Sequence, residues 1–184
     1  MAAITASPYQ PPVDRPPPAF DEMYAMQYIE VWRMLQRLRV PEADLADAVH
    51  DVFVVVHQKL SDYDPQRPLL AWLYGIAYRI ACEDRRRLRR TPLAQAEVEL
   101  QDHGPTPDEA FAARQAQEQV LLALETLDIE KRAVFVMHDA SGLAMPEVAA
   151  ALGIPLNTAY SRLRLARERF AVAIRRDAAR GKRK

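Results

Sequence analysis

Apolar residues recur along this chain at steps of three and four, with no clear run of strict alternation, and that rhythm predicts helices from end to end. Tyr24, Tyr28, Val31, Leu35 and Leu38 mark a first helix from Asp21, which can cap it, to about Arg39. Val40–Pro41 breaks it, and Pro41 suits the opening turn of a second helix, about Glu42–Leu60, with Leu45, Val49, Val52, Phe53, Val56 and Leu60 inward. The stretch Ser61–Pro68 reads as a loop from its Asp, Ser and Pro content. A third helix, about Leu69–Arg90, carries the stripe Leu73, Ile76, Ala77 and Ile80, with Tyr74, Tyr78 and Arg85 on its far side beside Gly75, Arg79 and Arg86.

The pattern lapses over Thr91–Pro105, an acidic stretch punctuated by Pro92, Gly104 and Pro105, which reads as a linker. Thr106–Pro107–Asp108–Glu109 is a capping box with proline at the first helical position. It opens a helix to about Glu125 that turns Phe111, Val120, Leu121 and Leu124 inward. Asp128 caps the next helix, Ile129–Ala140, which Gly142 ends. A short helix, Met145–Leu152, follows; Ala144 stands where a capping Ser or Thr belongs, at a cost of ~1 kcal/mol in local stability. Gly153 stops it, Ile154–Pro155–Leu156 makes a tight corner, and a long helix runs from about Asn157 to Arg176. Two helices joined by a short turn containing glycine form a helix-turn-helix. On the second, Ala159, Leu163, Ala166 and Phe170 share one stripe. Opposite lie Asn157, Ser161, Arg164 and Glu168, flanked by Tyr160 and Arg167 on one side and by Arg162 and Arg169 on the other. That is the layout of a helix that enters a major groove, with small hydrogen-bonding residues toward bases and arginines toward phosphates.

The fold class expected is therefore all-α. It comprises a Pro-rich tail (1–19), a helical domain (20–90), an acidic linker (91–105), a helix-turn-helix domain (106–177) and a basic tail (178–184). Six of the fourteen prolines fall in the first 19 residues, so that tail is expected to be disordered or polyproline-like, passive or a Pro-rich docking ligand. Overall charge is zero, but its distribution is uneven. Residues 79–90 carry six arginines against two carboxylates (net +4), and residues 160–184 carry ten basic residues against two (net +8). Residues 91–118 carry one arginine against six carboxylates (net −5). Two basic blocks around an acidic joint fit a polyanion bound at two places; solvated surface is the plainer reading of either block alone.

Cys82 is the only cysteine, so no disulfide forms within one chain, which fits a reducing cytosol. No apolar run approaches the ~18 residues of a membrane span, and no secretory signal is expected. Phosphate loops, HExxH and GxSxG are absent from the sequence. The second helix shows Asp44, Asp47, His50 and Asp51 on one face. A metal site is conceivable there, but a solvated or partner-binding face is the commoner outcome, and no cofactor is expected. His138, Asp139 and Ser141 are neighbours that point different ways rather than a catalytic triad. The function indicated is binding, not catalysis. Tyr74 and Tyr78 beside arginines suit unpaired bases that stack on rings; equally, both can pack on the first helix with only their hydroxyls wet.

The run ADLADAVHDVFVVVHQKLSDYDPQRPLLAWLYGIAYRIACEDRRRLRR resembles the first conserved domain of the extracytoplasmic-function sigma factors of bacterial RNA polymerase, and AVFVMHDASGLAMPEVAAALGIPLNTAYSRLRLARERF resembles their second. Order, linker and length match as well, and Arg67–Pro68 with Ala71–Trp72–Leu73 ahead of an arginine run is the most specific part. The resemblance implies that Asp44, Asp47, His50 and Asp51 dock on the clamp helices of the polymerase core. It implies that the loop and third helix, through Asp62, Tyr63, Arg67, Trp72, Tyr74, Tyr78, Arg79, Arg85 and Arg86, melt and read the minus-ten promoter element. It implies that Asn157, Thr158, Tyr160, Ser161, Arg162, Arg164 and Arg167 read the minus-thirty-five element. An anti-sigma factor is an implied partner. The chain departs from the family's pattern at Gly75, Arg79, Tyr160 and Leu165, where a basic residue, Asn, Lys and Arg are respectively frequent. Gly75 and Arg79 bear on the detail of base capture at the minus-ten element, while Tyr160 and Leu165 suggest an altered promoter preference, with Leu165 touching a thymine methyl. Two alternatives remain at this stage: a free-standing regulator that binds duplex DNA, and an adaptor that binds only protein.

Overall fold

The computed structural model describes residues 19–90 and 107–181, with side chains over 19–87, 115–177 and 179. The Pro-rich tail, the acidic linker and the last three basic residues lie outside the described residues. So does the side chain of Thr106, and with it the capping box; Phe111 likewise has no described side chain.

The described residues form seven α-helices: α1 (Phe20–Arg37), α2 (Glu42–Gln58), α3 (Leu69–Arg90), α4 (Pro107–Glu125), α5 (Ile129–Phe135), α6 (Met145–Leu152) and α7 (Leu156–Gly181). A 3-10 turn, Leu60–Asp62, follows α2, and a π turn, Val136–Ala140, extends α5. Among the described residues there is no strand.

The first three helices close on Val31, Leu35, Leu38, Leu45, Val49, Val52, Phe53, Val56, Leu73, Ile76 and Ala77, all buried. Two expected core positions sit at the rim: Tyr24 is exposed, and Tyr28 is half-buried. They join Phe20, Trp32, Phe53 and His57 in a ladder of ring contacts, with Tyr24 and Phe53 edge-on at 4.6 Å. Asp21 does not cap α1. Ala19 holds the cap position with no side-chain bond, and Asp21 lies in the first turn, where its charge suits the helix dipole.

In the second half, Asp128 caps α5 as its position in the sequence indicates, accepting from the Lys131 amide at 3.0 Å. Burial opposes the carboxylate's charge, but bonds from the Lys131 amide and ammonium hold its pKa below the usual range. Ala144 offers no side-chain bond to the first turn of α6. Gly153 ends α6 in the left-handed conformation (φ 65°), and the Ile154 amide reaches back to the Ala149 carbonyl at 3.0 Å. Val120, expected inward, is exposed instead; Leu121 and Leu124 make the contact of α4.

The two halves do not keep separate cores. One apolar cluster runs from Met23 through Tyr74 to Ala166, because α3 packs directly on α6.

Candidate nucleic-acid interface

The α7 face forms as its phase dictates. Ala159, Leu163 and Ala166 are buried, and Phe170 packs its ring 4.7 Å from Phe135 of α5. Asn157, Tyr160, Ser161, Arg164 and Arg167 are exposed, Tyr160 at 53%; Thr158 and Arg162 are partly covered. The Gly153 corner and Pro155 set the first turn of α7 at the protein surface, with backbone amides leading. Leu165, one flank removed, is half-buried.

Three of the arginines on this helix are tied to carboxylates. Arg162 donates to Glu130 of α5, and Arg164 to Glu168 one turn on at 2.7 Å. Arg167 grips Asp139 with both ends of its fork, Nε to Oδ2 at 2.8 Å and Nη2 to Oδ1 at 2.7 Å, and that bond raises its pKa further. Exposed pairs of this kind contribute little to stability; what they do is offset the charge of the guanidinium groups and restrict where they point. Asp139 and Glu130 are therefore part of the face, and neither was legible as such. Their signal lies in the fold, which brings residues 28 and 32 positions apart together.

On the first half, Asp62 and Arg67 are exposed in the loop, and Arg67 approaches Asp64 at 3.7 Å. Tyr63 is buried, not free for a base: its hydroxyl donates to the Arg67 carbonyl at 2.9 Å, and its ring tilts on Trp72 at 5.1 Å. Arg79 and Arg86 are exposed, while Arg85 and Trp72 are partly covered.

Of the two readings left open for Tyr74, the packed one holds, although its hydroxyl is covered too. Tyr74 is 0% exposed, with its hydroxyl 3.5 Å from Glu30 Oε2 and receiving from Ser141 Oγ at 3.4 Å; burial raises its pKa. Gly75 is buried against α6, where an added Cβ would lie 2.7 Å from the Ala151 carbonyl oxygen. A mid-helix glycine costs ~1 kcal/mol against alanine, so close approach is what this one supplies. Tyr78 is half-buried and bonded to Cys82, and burial pushes both groups upward in pKa. Helical phase alone left this side of α3 open to solvent or to packing; the second half of the chain covers it at Tyr74 and Gly75.

The acidic face of α2 stays together. Asp44, Asp47, His50 and Asp51 line a polar pocket of about 220 Å³, joined by Asp84 and Arg87 of α3. Burial, and after it the charges of Asp44 and Asp51, raise the Asp84 pKa against the pull of Arg87 at 3.4 Å. Among the described residues no cluster has the make-up of a metal site.

A buried cation completes the arrangement. Arg132 of α5 donates to the carbonyls of Leu124 (2.8 Å), Glu125 (3.2 Å) and Leu127 (2.8 Å) at the end of α4. It also donates to the Leu38 carbonyl at the end of α1 (2.6 Å). Helix C-termini present unpaired carbonyls and negative partial charge, so one guanidinium serves two of them without a carboxylate. Burial, aided by Arg85 and Arg39, pushes its pKa down to about 10, still charged at neutral pH.

Residues 23–91 match the family model for sigma-70 region 2, and residues 117–170 match that for sigma-70 region 4. The RNA polymerase sigma factor CnrH of Cupriavidus metallidurans is 30% identical over 169 residues, spanning 86% of this chain and 88% of that protein. The extracytoplasmic-function sigma factor SigM of Mycobacterium tuberculosis is 29% identical over 154 residues, 83% of this chain and 76% of that one. CnrH bound to the cytosolic domain of CnrY superposes with a TM-score of 0.63 at 28% identity, over 86% of this chain and 88% of the other. The sigma factor RpoE bound to the anti-sigma factor NepR from Bartonella quintana shares the fold at 19% identity, with a TM-score of 0.67 over 85% of this chain and 96% of that one. With two regions in order and a relative matched along nearly its whole length, the chain belongs to the extracytoplasmic-function branch of the sigma-70 family, the sigma factors that direct promoter-specific transcription initiation by RNA polymerase.

Proposed function

We propose that the two halves divide promoter reading between them. The first turns of α7 enter the major groove of the minus-thirty-five element, with Asn157, Thr158, Tyr160, Ser161 and Arg164 toward bases and Arg162 and Arg167 toward phosphates. The loop before α3, with Asp62, Arg67 and Trp72, and the arginines Arg79, Arg85 and Arg86 engage the minus-ten element as it opens. Tyr74 and Tyr78 join them only once the second half has moved off α3. The carboxylates Asp44, Asp47 and Asp51, with His50, meet a basic surface of the polymerase core.

The observation that carries this reading is the division of α7. Ala159, Leu163 and Ala166 are buried, while Asn157, Tyr160, Ser161, Arg164 and Arg167 line the open side and Thr158 and Arg162 its partly covered edge. The chain acts without catalysis of its own and works in the cytoplasm; no helix among the described residues is long and apolar enough to cross a membrane. An anti-sigma factor is the regulator expected, since CnrH and RpoE were solved with CnrY and NepR.

Run-off transcription with purified core enzyme over a library of genomic promoters tests the proposal. Initiation at a defined subset, lost when Arg162 and Arg164 are both replaced by alanine, is the expected result. No initiation on any template, with no stable complex with core, would refute it.

A further inference from the structure

We propose that His138 is a second, proton-dependent partner of Asp139, and that it sets how freely Arg167 leaves that carboxylate for DNA. The DNA part rests on the phosphate role given to Arg167 above; the pairing of the three side chains does not.

The observations converge on the π turn. The His138 ring places Nδ1 2.8 Å from the Leu143 carbonyl oxygen. A carbonyl only accepts, so Nδ1 carries the hydrogen and, in the neutral ring, Nε2 carries the lone pair. That Nε2 stands 3.9 Å from Asp139 Oδ1, so these sequence neighbours meet at their tips, while Ser141 turns away to Tyr74. Asp139 in turn holds Arg167 of α7 with both oxygens, at 2.7 and 2.8 Å. One carboxylate thus has two claimants: a guanidinium that is always charged, and a ring that is charged only when Nε2 gains a proton.

Other charges on the elements packed around the turn have their own partners. On α5, Lys131 pairs with Asp128, Glu130 pairs with Arg162, and Arg132 donates to carbonyls at helix ends. On α7, Arg164 pairs with Glu168. The single charged residue of α6 is Glu147, in its first turn, and it serves as a control below.

The consequence follows from charge. In the free chain Arg167 neutralises Asp139. When Arg167 turns to a phosphate, Asp139 is left beside a polyanion without its cation, and a neutral His138 faces it with a lone pair. A protonated His138 supplies both an Nε2–H donor and the missing positive charge. The bound state therefore favours the charged ring more than the free state does, and DNA engagement takes up a proton at His138. Affinity is raised below the range where the imidazole titrates and is lost as pH rises through it. One proton bounds the effect at about tenfold per pH unit, and the partial exposure of all three side chains keeps it below that bound.

Two measurements on the full chain test this. Nitrogen-15 NMR of labelled histidine reads the rings without DNA, and His138→Gln identifies the His138 signals. The neutral ring should carry its hydrogen on Nδ1. Its charged form should persist to higher pH in Arg167→Ala and retreat to lower pH in Asp139→Asn, with Glu147→Gln moving it less than Asp139→Asn does. The opposite tautomer, or no movement in either of the first two variants, overturns the pairing. Fluorescence anisotropy of the holoenzyme with a promoter duplex, at constant ionic strength from pH 8 to pH 6, reads the DNA link. The parent should tighten by about threefold more than His138→Gln over that range. His138→Lys, with a fixed charge, should bind more tightly than the parent at pH 8. Equal pH trends in parent and His138→Gln overturn the DNA link. A holoenzyme that binds no promoter refutes that link together with the function proposed above, while the spectra still decide the pairing.

Discussion

Arg132 donates to the carbonyl of Leu38 at 2.6 Å across 94 residues of sequence, and so joins the end of α1 to the end of α4 through one side chain. Replacing it leaves buried carbonyls without a donor. Arg132→Ala should cost at least ~2 kcal/mol in urea unfolding, or roughly 4–8 °C in Tm, because several charge-assisted bonds go together. Arg132→Lys should recover little of this, since an ammonium lacks the planar fork that spans the four acceptors. A loss below ~0.5 kcal/mol would mean that water replaces the guanidinium freely.

Asp128 contributes through its charge as well as its shape. Asp128→Ala should cost ~1 kcal/mol at neutral pH. The folded-state pKa is held below the unfolded value of ~3.9, so the stabilisation is present above that pH and is lost as pH falls through the folded pKa. Parent and variant stabilities should therefore converge below about pH 4, as followed by thermal melts from pH 3 to 7. A gap that stays constant across this range would show the cap to be independent of charge.

Ala144 precedes α6 at φ −65° and ψ 143°, backbone angles that suit a capping side chain, and Glu147 already stands three residues on. Ala144→Ser completes a capping box and should add about 0.5–1 kcal/mol, seen as a higher Tm. No gain would indicate that the Glu147 carboxylate is engaged elsewhere.

Arg164→Ala, measured in holoenzyme, should weaken promoter binding by ~1–3 kcal/mol if it reads a base, and unequally across promoters. Uniform weakening with a salt slope reduced by about one would place it on phosphate instead.

Asp139→Asn releases Arg167 from its bidentate partner. Duplex binding should strengthen at low salt, with a steeper salt dependence, since the α7 face gains a unit of positive charge. Weaker binding would show that the carboxylate aims the guanidinium more than it neutralises it.

The helices and the α7 face were legible because both follow from local rules. Gly153, Asp128 and Ala144 act within one turn of where they stand, and Ala159 to Phe170 repeat at helical spacing. The sequence left the burial of Tyr74 open, since phase says which side faces the local core but not whether another helix covers the opposite side. Gly75 was the available clue, as a costly residue in mid-helix marks close approach. Arg132 sat in the core phase between Ile129 and Val136, yet in sequence it reads as one charge among Glu130 and Lys131. Asp84 joined the α2 carboxylates through tertiary packing alone.

The surfaces that meet at Gly75 and Ala151 belong to one polypeptide, so their encounter is first-order and indifferent to dilution. Synthesising more copies leaves the shut fraction where it was. Only a competitor that binds one surface better than its mate shifts that fraction, while the number of open copies rises in proportion to the number made.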